Sequence, residues 1–92
     1  MYSYHMTRTG LTPRERDRGA RLARALGVAR ANRGLSGGQL SAASGVSVDS
    51  IRSIESGRIV SPGFALVASL GRAMDLSLDT LADQILDELS RA

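Results

Sequence analysis

The sequence predicts an all-α protein with five helices. Strand signals are nearly absent, because no run alternates between apolar and polar residues and no hairpin turn pair occurs. Helix start signals, by contrast, recur along the chain. The length of 92 residues fits one domain, and with only two tyrosines and one phenylalanine its core must be aliphatic. We expect that domain to occupy residues 12–92.

The first helix begins at the capping box Thr12-Pro13-Arg14-Glu15. The threonine hydroxyl suits the N-cap, the proline suits the first helical position, and the glutamate can bond back to the cap amide. We expect this helix over about 13–32, ended by Gly34. Residues 1–11 lack periodicity and are expected to be flexible. The dipeptide His5-Met6 is consistent with a cloning junction at residues 1–5.

Two short helices follow, separated by a tight turn. Ser36-Gly37-Gly38-Gln39 is a second capping box and predicts a helix over about 37–44. Gly45 suits the left-handed backbone that closes a helix. Ser47 caps a third helix, expected over about 48–56. Two short helices joined in this way pack at a steep angle, so that the second projects from the globule.

Two further helices complete the chain. Ser61-Pro62 predicts the start of the fourth helix, again with proline at the first position. We expect Phe64 on its apolar face, with Val67, Leu70 and Met74. Ser77-Leu78-Asp79 begins a C-terminal helix, expected over about 78–90.

The charge is unevenly distributed. Residues 1–48 carry eight arginines and two acidic residues, a net charge of +6, whereas residues 49–92 carry four arginines and seven acidic residues, a net charge of −3. A basic half beside an acidic half predicts one surface for a polyanion and another for a different partner. Two solvated faces of opposite sign are the alternative, and we prefer this alternative for the arginines of the first helix (Arg14, Arg16, Arg18, Arg21, Arg24).

The composition argues against catalysis and membrane insertion. The chain has no cysteine and a single histidine, His5, which excludes disulfides and thiolate chemistry and disfavours a histidine triad or zinc site. No glycine run has the spacing of a phosphate-binding loop. No apolar run approaches the roughly 20 residues that span a bilayer, and no secretory signal is visible. We therefore expect a cytoplasmic protein that is not an enzyme and has no metal or cofactor.

Five motifs occur in a fixed order between the first and last helices. They are R-x-x-R-G-L-S (30–36), Q-L-S-x-x-S-G-V-S (39–47), S-I-x-x-I-E-x-G (50–57), P-x-F-x-x-V-x-x-L-G-x-x-M (62–74) and L-S-L-D-x-L (76–81). With them, residues 26–81 resemble the phage repressor/Cro-type (Xre) helix-turn-helix family. The resemblance implies a compact five-helix bundle, here with extended first and last helices. It also implies binding to double-stranded operator DNA, often as a two-fold dimer on a palindrome.

The resemblance assigns candidate roles to residues of this chain. The third helix is the recognition helix, and its implied base contacts are Ser47, Val48, Asp49, Arg52 and Ser53. The implied phosphate contacts are Ser36, Gly37, Gln39, Arg58 and Ser61. The implied structural ion pair is Arg30 with Glu55. Two positions depart from the family: Gly37 replaces a frequent glutamine, and Asp49 places an acid where phosphate would repel it.

We therefore expect a sequence-specific DNA-binding transcriptional regulator, a repressor that acts as a homodimer. Ile85, Leu86 and Leu89 extend the apolar stripe of the last helix and form the expected dimer interface. Packing against the first helix of the same chain is the alternative for these three residues. The alternative function is a protein-interaction module, an antitoxin or adaptor that acts through a protein partner bound by the acidic C-terminal half.

Overall fold

The computed structural model describes residues 10–90, with side chains for residues 10–86. The predicted fold class is confirmed: within the described residues the chain forms five α-helices and no strand. The helices are α1 (Pro13–Asn32), α2 (Gly37–Ser44), α3 (Val48–Glu55), α4 (Phe64–Ala73) and α5 (Leu78–Ser90). The expected flexibility of residues 1–11 falls almost entirely outside the described residues.

Both predicted capping boxes are present. The hydroxyl of Thr12 accepts from the amide of Glu15 at 3.1 Å, and the carboxylate of Glu15 accepts from the amide of Thr12 at 2.8 Å. At the start of α2, Ser36 and Gln39 make the same reciprocal pair at 3.0 and 2.8 Å. These bonds satisfy amides that have no partner inside the helix, which is why both helices begin where the sequence predicts.

The core lies where all five helices meet. It is wholly aliphatic, as the composition requires, and its buried members include Leu26 of α1, Leu40 of α2, Ile51 and Ile54 of α3, Leu70 and Met74 at α4, and Leu81 of α5. Helix α1 packs against α3 and α5, and α2 packs against α3 and α4. Together these contacts fix the direction of α3 relative to the rest of the bundle.

The predicted start of α4 is wrong by two residues. The helix begins at Phe64 rather than at Pro62, and Gly63 is its N-cap with no side-chain hydrogen bond. The residue after Pro62 is Gly63, and glycine is unfavourable inside a helix but well tolerated at an N-cap. The chain therefore remains non-helical through Gly63, whose carbonyl accepts from the amide of Val67 at 3.2 Å.

The prediction that Phe64 belongs to the apolar face of α4 is also wrong. Its side chain is 74% exposed, the highest exposure of any large apolar residue in the described chain. The core includes Leu70 and Met74, and Leu66 and Val67 pack against it, so the first turn of α4 meets the core through residues other than Phe64. Phe64 has the helical spacing of a core residue, yet no neighbouring element covers it.

Helix α1 and the loop before α4 approach each other closely at Gly19. A Cβ atom at this position would lie 2.5 Å from both the carbonyl oxygen and the Cγ1 of Val60. No residue but glycine fits there without displacement of the loop. The contact joins the N-terminal half of α1, which exceeds the minimal motif, to the segment that follows α3.

Candidate nucleic-acid interface

The turn between α2 and α3 is built by local backbone chemistry. Gly45 ends α2 with φ of 80°, a left-handed conformation, and its amide donates to the carbonyl of Ser41 at 2.9 Å. The hydroxyl of Ser47 then caps α3 by accepting from the amide of Ser50 at 3.1 Å. Only Val46 separates the two caps, so the chain reverses sharply and α3 starts at once.

A two-pronged ion pair holds α3 against α1. The Nε of Arg30 donates to Oε2 of Glu55, and its Nη2 donates to Oε1, both at 2.8 Å. The third nitrogen, Nη1, donates to the carbonyl of Leu35 at 2.8 Å. Both side chains of the pair are largely shielded from solvent, at 25% and 20% exposure. This arrangement uses the planar fork of arginine on a carboxylate, which strengthens the bonds and fixes the geometry.

Hydrogen bonding to Glu55 raises the pKa of Arg30, with a smaller opposing effect from burial. A raised pKa in the folded state contributes stability that is fully present below the unfolded pKa and is lost only as pH rises through the folded value. For an arginine that window is strongly alkaline. The pair therefore holds α3 in place without any titration of Arg30 near neutral pH.

The outer face of α3 carries the predicted base contacts. Ser47, Asp49 and Arg52 are exposed, while Val48 and Ser53 are half-buried. No hydrogen bond or ion pair from Arg52 or Asp49 side chains to another described residue occurs, so the ion pair considered between them is not formed. The guanidinium and the carboxylate both remain available to a ligand.

The loop after α3 contains a contact that sequence reasoning missed. The Nη2 of Arg58 donates to the Oγ of Ser53 at 2.9 Å. The family resemblance implies a phosphate contact for Arg58 and a base contact for Ser53, whereas the structure joins their side chains. The only sequence signal for this turn is Gly57, whose φ of 85° reverses the chain between them.

The remaining predicted phosphate contacts lie at the edges of α2 and α4. Ser36 and Gln39 are exposed at the start of α2, where each is engaged in the capping box. A Cβ at Gly37 would meet nothing within 4 Å, so the backbone there is open to a close approach. Ser61 is exposed in the loop before α4.

The predicted dimer residues are placed unequally. Ile85 is half-buried and lines a groove of about 220 Å³ together with Leu11 and Leu22, so it faces α1 of its own chain. Leu86 is half-buried and has non-helical backbone angles (φ −110°, ψ 19°), which interrupts α5. The side chain of Leu89 lies outside the described residues. Ile85 therefore packs within its own chain, which is the alternative to a role in the dimer interface.

The described residues contain neither a metal-binding cluster nor a membrane-spanning helix. No group of three or more histidine, aspartate or glutamate side chains is placed to hold a metal ion. No helix there has the length and apolar character needed to cross a membrane.

The geometry described above defines a class of protein. Two short helices meet at a left-handed glycine, and the second of them presents a polar outer face, as in helix-turn-helix domains that bind DNA. A family model described as a helix-turn-helix domain matches residues 21–84, well over half of the chain. The chain therefore belongs to this helix-turn-helix family. No curated protein matches it.

Proposed function

We propose that this protein is a sequence-specific transcriptional regulator of the Xre type, a repressor that binds a palindromic operator as a homodimer. The observation that carries the proposal is the outer face of α3, which is polar and largely exposed on a helix held rigidly by Arg30 and Glu55. A helix of this width fits the roughly 12 Å major groove, where polar side chains contact base edges.

The base contacts are Ser47, Val48, Asp49, Arg52 and Ser53. Arg52 is the strongest single reader, because a free guanidinium binds the N7 and O6 acceptors of guanine with two parallel hydrogen bonds. Asp49 is unfavourable near phosphate but accepts well from the N4 amino group of cytosine. Short serines beside them let the helix approach the groove floor.

Phosphate contacts come from Ser36, Gly37, Gln39 and Ser61. The start of α2 presents backbone amides, and the helix dipole favours an anion at this end without a charged side chain. Gly37 lacks the family's glutamine, yet the open space above it lets a phosphate approach the backbone itself. These contacts supply affinity and register, whereas α3 supplies sequence choice.

Two copies of α3 in successive major grooves require a dimer with recognition helices about 34 Å apart. We assign the interface to the end of α5, through Leu86 and Leu89. Ile85 contributes indirectly, because it packs α5 against α1 of the same chain and so holds the end of α5 in position.

The test is the selection of bound duplexes from a random DNA library at two salt concentrations. A two-fold symmetric motif is expected, with an affinity that falls as salt rises, because arginines at the interface displace counterions condensed on the DNA. Salt-sensitive retention with no motif, or no retention at all, would overturn the proposal.

One observation favours a second function, a protein-interaction module that works as an antitoxin or adaptor. Asp79 and Asp83 are exposed four residues apart on α5, a face that repels DNA and suits a basic partner. On this alternative, Asp79→Asn with Asp83→Asn abolishes binding of a protein partner, while Arg52→Ala has little effect. On the main proposal, Arg52→Ala weakens binding to operator DNA, while Asp79→Asn with Asp83→Asn has little effect on it.

A further inference from the structure

The loop after α3 is folded back onto the last turn of that helix. The carbonyl of Ser53 accepts from the amide of Ile59 at 2.9 Å and from the hydroxyl of Ser56 at 3.2 Å. Gly57 makes this possible, because its φ of 85° is a conformation that residues with side chains avoid. Residues 56–59 are therefore bonded to the recognition helix itself rather than to the body of the bundle.

This fold-back determines where the side chain of Arg58 lies. Its Nη2 donates to the hydroxyl of Ser53 at 2.9 Å, which draws the guanidinium onto the outer face of α3. Ser53 follows Arg52 directly and lies one turn after Asp49. The face of α3 thus carries a second guanidinium, contributed by the loop and bonded to Ser53.

We infer that Arg58, held by Ser53, contacts a guanine in the major groove and is a specificity-determining residue rather than a phosphate contact. This inference rests on the proposed DNA-binding function. A guanidinium has five N–H donors, and the bond to Ser53 uses one of them. Two of the remaining donors suffice for the paired bonds to N7 and O6 of guanine.

Restraint of the side chain is what makes this role effective. A free arginine loses rotamer entropy when it binds, whereas one already held by a hydrogen bond loses less. Arg52 and Arg58 then differ in kind. Arg52 has no described partner and must be ordered by the DNA, while Arg58 is ordered before the DNA arrives.

The experiment compares selections from a random duplex library by the wild type, Ser53→Ala and Arg58→Lys. Lysine keeps the charge but cannot make the paired bonds to guanine. Both variants are expected to lose about tenfold of the preference for G·C at the same position of the motif, and the double variant to lose no more than either alone. Arg72→Ala, which removes an exposed charge from α4, is the control and should leave every preference intact.

Affinity for a random duplex, measured in parallel and with Arg58→Ala as a further variant, separates the outcomes. If Arg58→Ala weakens all sequences equally, lowers the salt slope by about one and leaves the motif unchanged, Arg58 contacts phosphate and the inference is wrong. Loss of preference in Arg58→Lys but not in Ser53→Ala would also overturn it, because the positioning bond would then be irrelevant. If the wild-type protein selects no sequence motif at all, the proposed function is also contradicted. Failure of the proposed function is thereby distinguished from failure of the inference about Arg58 alone.

Discussion

Glu55 and Arg30 tie α3 to α1 through a two-pronged ion pair. Replacement of Glu55 by alanine leaves the guanidinium of Arg30 partly buried without its carboxylate. Because hydrogen bonds between charged groups contribute about 1.5–3 kcal/mol, we expect Glu55→Ala to lower the free energy of unfolding by about 2 kcal/mol. Urea denaturation followed by circular dichroism measures this change.

The matched control is the pair of Asp17 and Arg21, which spans one turn of α1 at 3.0 Å and whose carboxylate is 56% exposed. Asp17→Ala should cost less than about 0.5 kcal/mol, because solvent screens surface pairs. Equal costs for the two variants would show that the Arg30–Glu55 pair is no more than a surface contact.

Arg52 is the residue whose loss should alter sequence choice most. We expect Arg52→Ala to weaken binding to the selected operator by about 1–3 kcal/mol and to relax the choice at one base pair. Arg24→Ala, on α1, removes the same charge from an exposed position away from α3 and is the control. Fluorescence anisotropy on operators substituted one base pair at a time measures both. A uniform loss at all positions would contradict a base contact by Arg52.

At the scale of single residues, local chemistry was predictable and distant contacts were not. The caps at Thr12, Ser36 and Ser47 depend on neighbours three residues away, so the sequence alone predicted them. The pairing of Arg30 with Glu55 came only from the family resemblance. The bond between Arg58 and Ser53 has no periodic signature, since it depends on the path of a loop.

The helix-turn-helix depends on a left-handed glycine between α2 and α3. We expect Gly45→Ala to destabilise the fold by about 1 kcal/mol, because a Cβ is strained at φ of 80° even in open space. Gly37→Ala is the control, since it also meets nothing within 4 Å and its φ is not positive. There alanine should stabilise by about 0.5 kcal/mol. Thermal unfolding of both variants tests the argument, and destabilisation by both would contradict it.

The contact between α1 and the loop before α4 makes a separate prediction. Gly19→Ala places a methyl group against the backbone of Val60, so we expect it to lower the melting temperature and to weaken operator binding through the displaced loop. Gly27→Ala lies in the same helix with ordinary contacts at 3.7 Å, and it should stabilise by about 0.5–1 kcal/mol. An unchanged melting temperature in Gly19→Ala would show that the loop before α4 can move away from α1 at little energetic cost.

At the scale of elements, the sequence located all five helices and misplaced the start of α4. Serine and proline at 61–62 resemble a helix start, but Gly63 is favoured at the N-cap over the helix interior, so the helix begins after it. Helical periodicity also predicts, wrongly, that Phe64 is buried. Periodicity indicates which face of a helix is apolar, but it does not indicate which residues on that face are covered by the rest of the fold. Coverage depends on tertiary packing.

At the scale of the whole molecule, the expected assembly is a dimer of about twice the 9.7 kDa chain. We expect Leu86→Asp to halve the mass found by sedimentation equilibrium, because it places a charge in the proposed apolar contact. Gln84→Asp adds the same charge at an exposed position of α5 and should leave the dimer intact. A monomeric wild-type protein would contradict the proposed dimer but would not by itself contradict DNA binding.

At the same scale, we expect the predicted contact sites to form one surface. The start of α2, the outer face of α3 and the loop that bears Arg58 follow one another within residues 36–61, and the core beneath them sets their relative positions. The central claim is that this surface contacts DNA. The measurement that tests it most directly is a titration of the ¹⁵N-labelled protein with the selected duplex, followed by amide chemical shifts. We expect the largest chemical-shift changes over residues 47–58 and at Gly37 and Gly38. Changes confined to α5 and the N-terminal half of α1, with α3 unaffected, would contradict it.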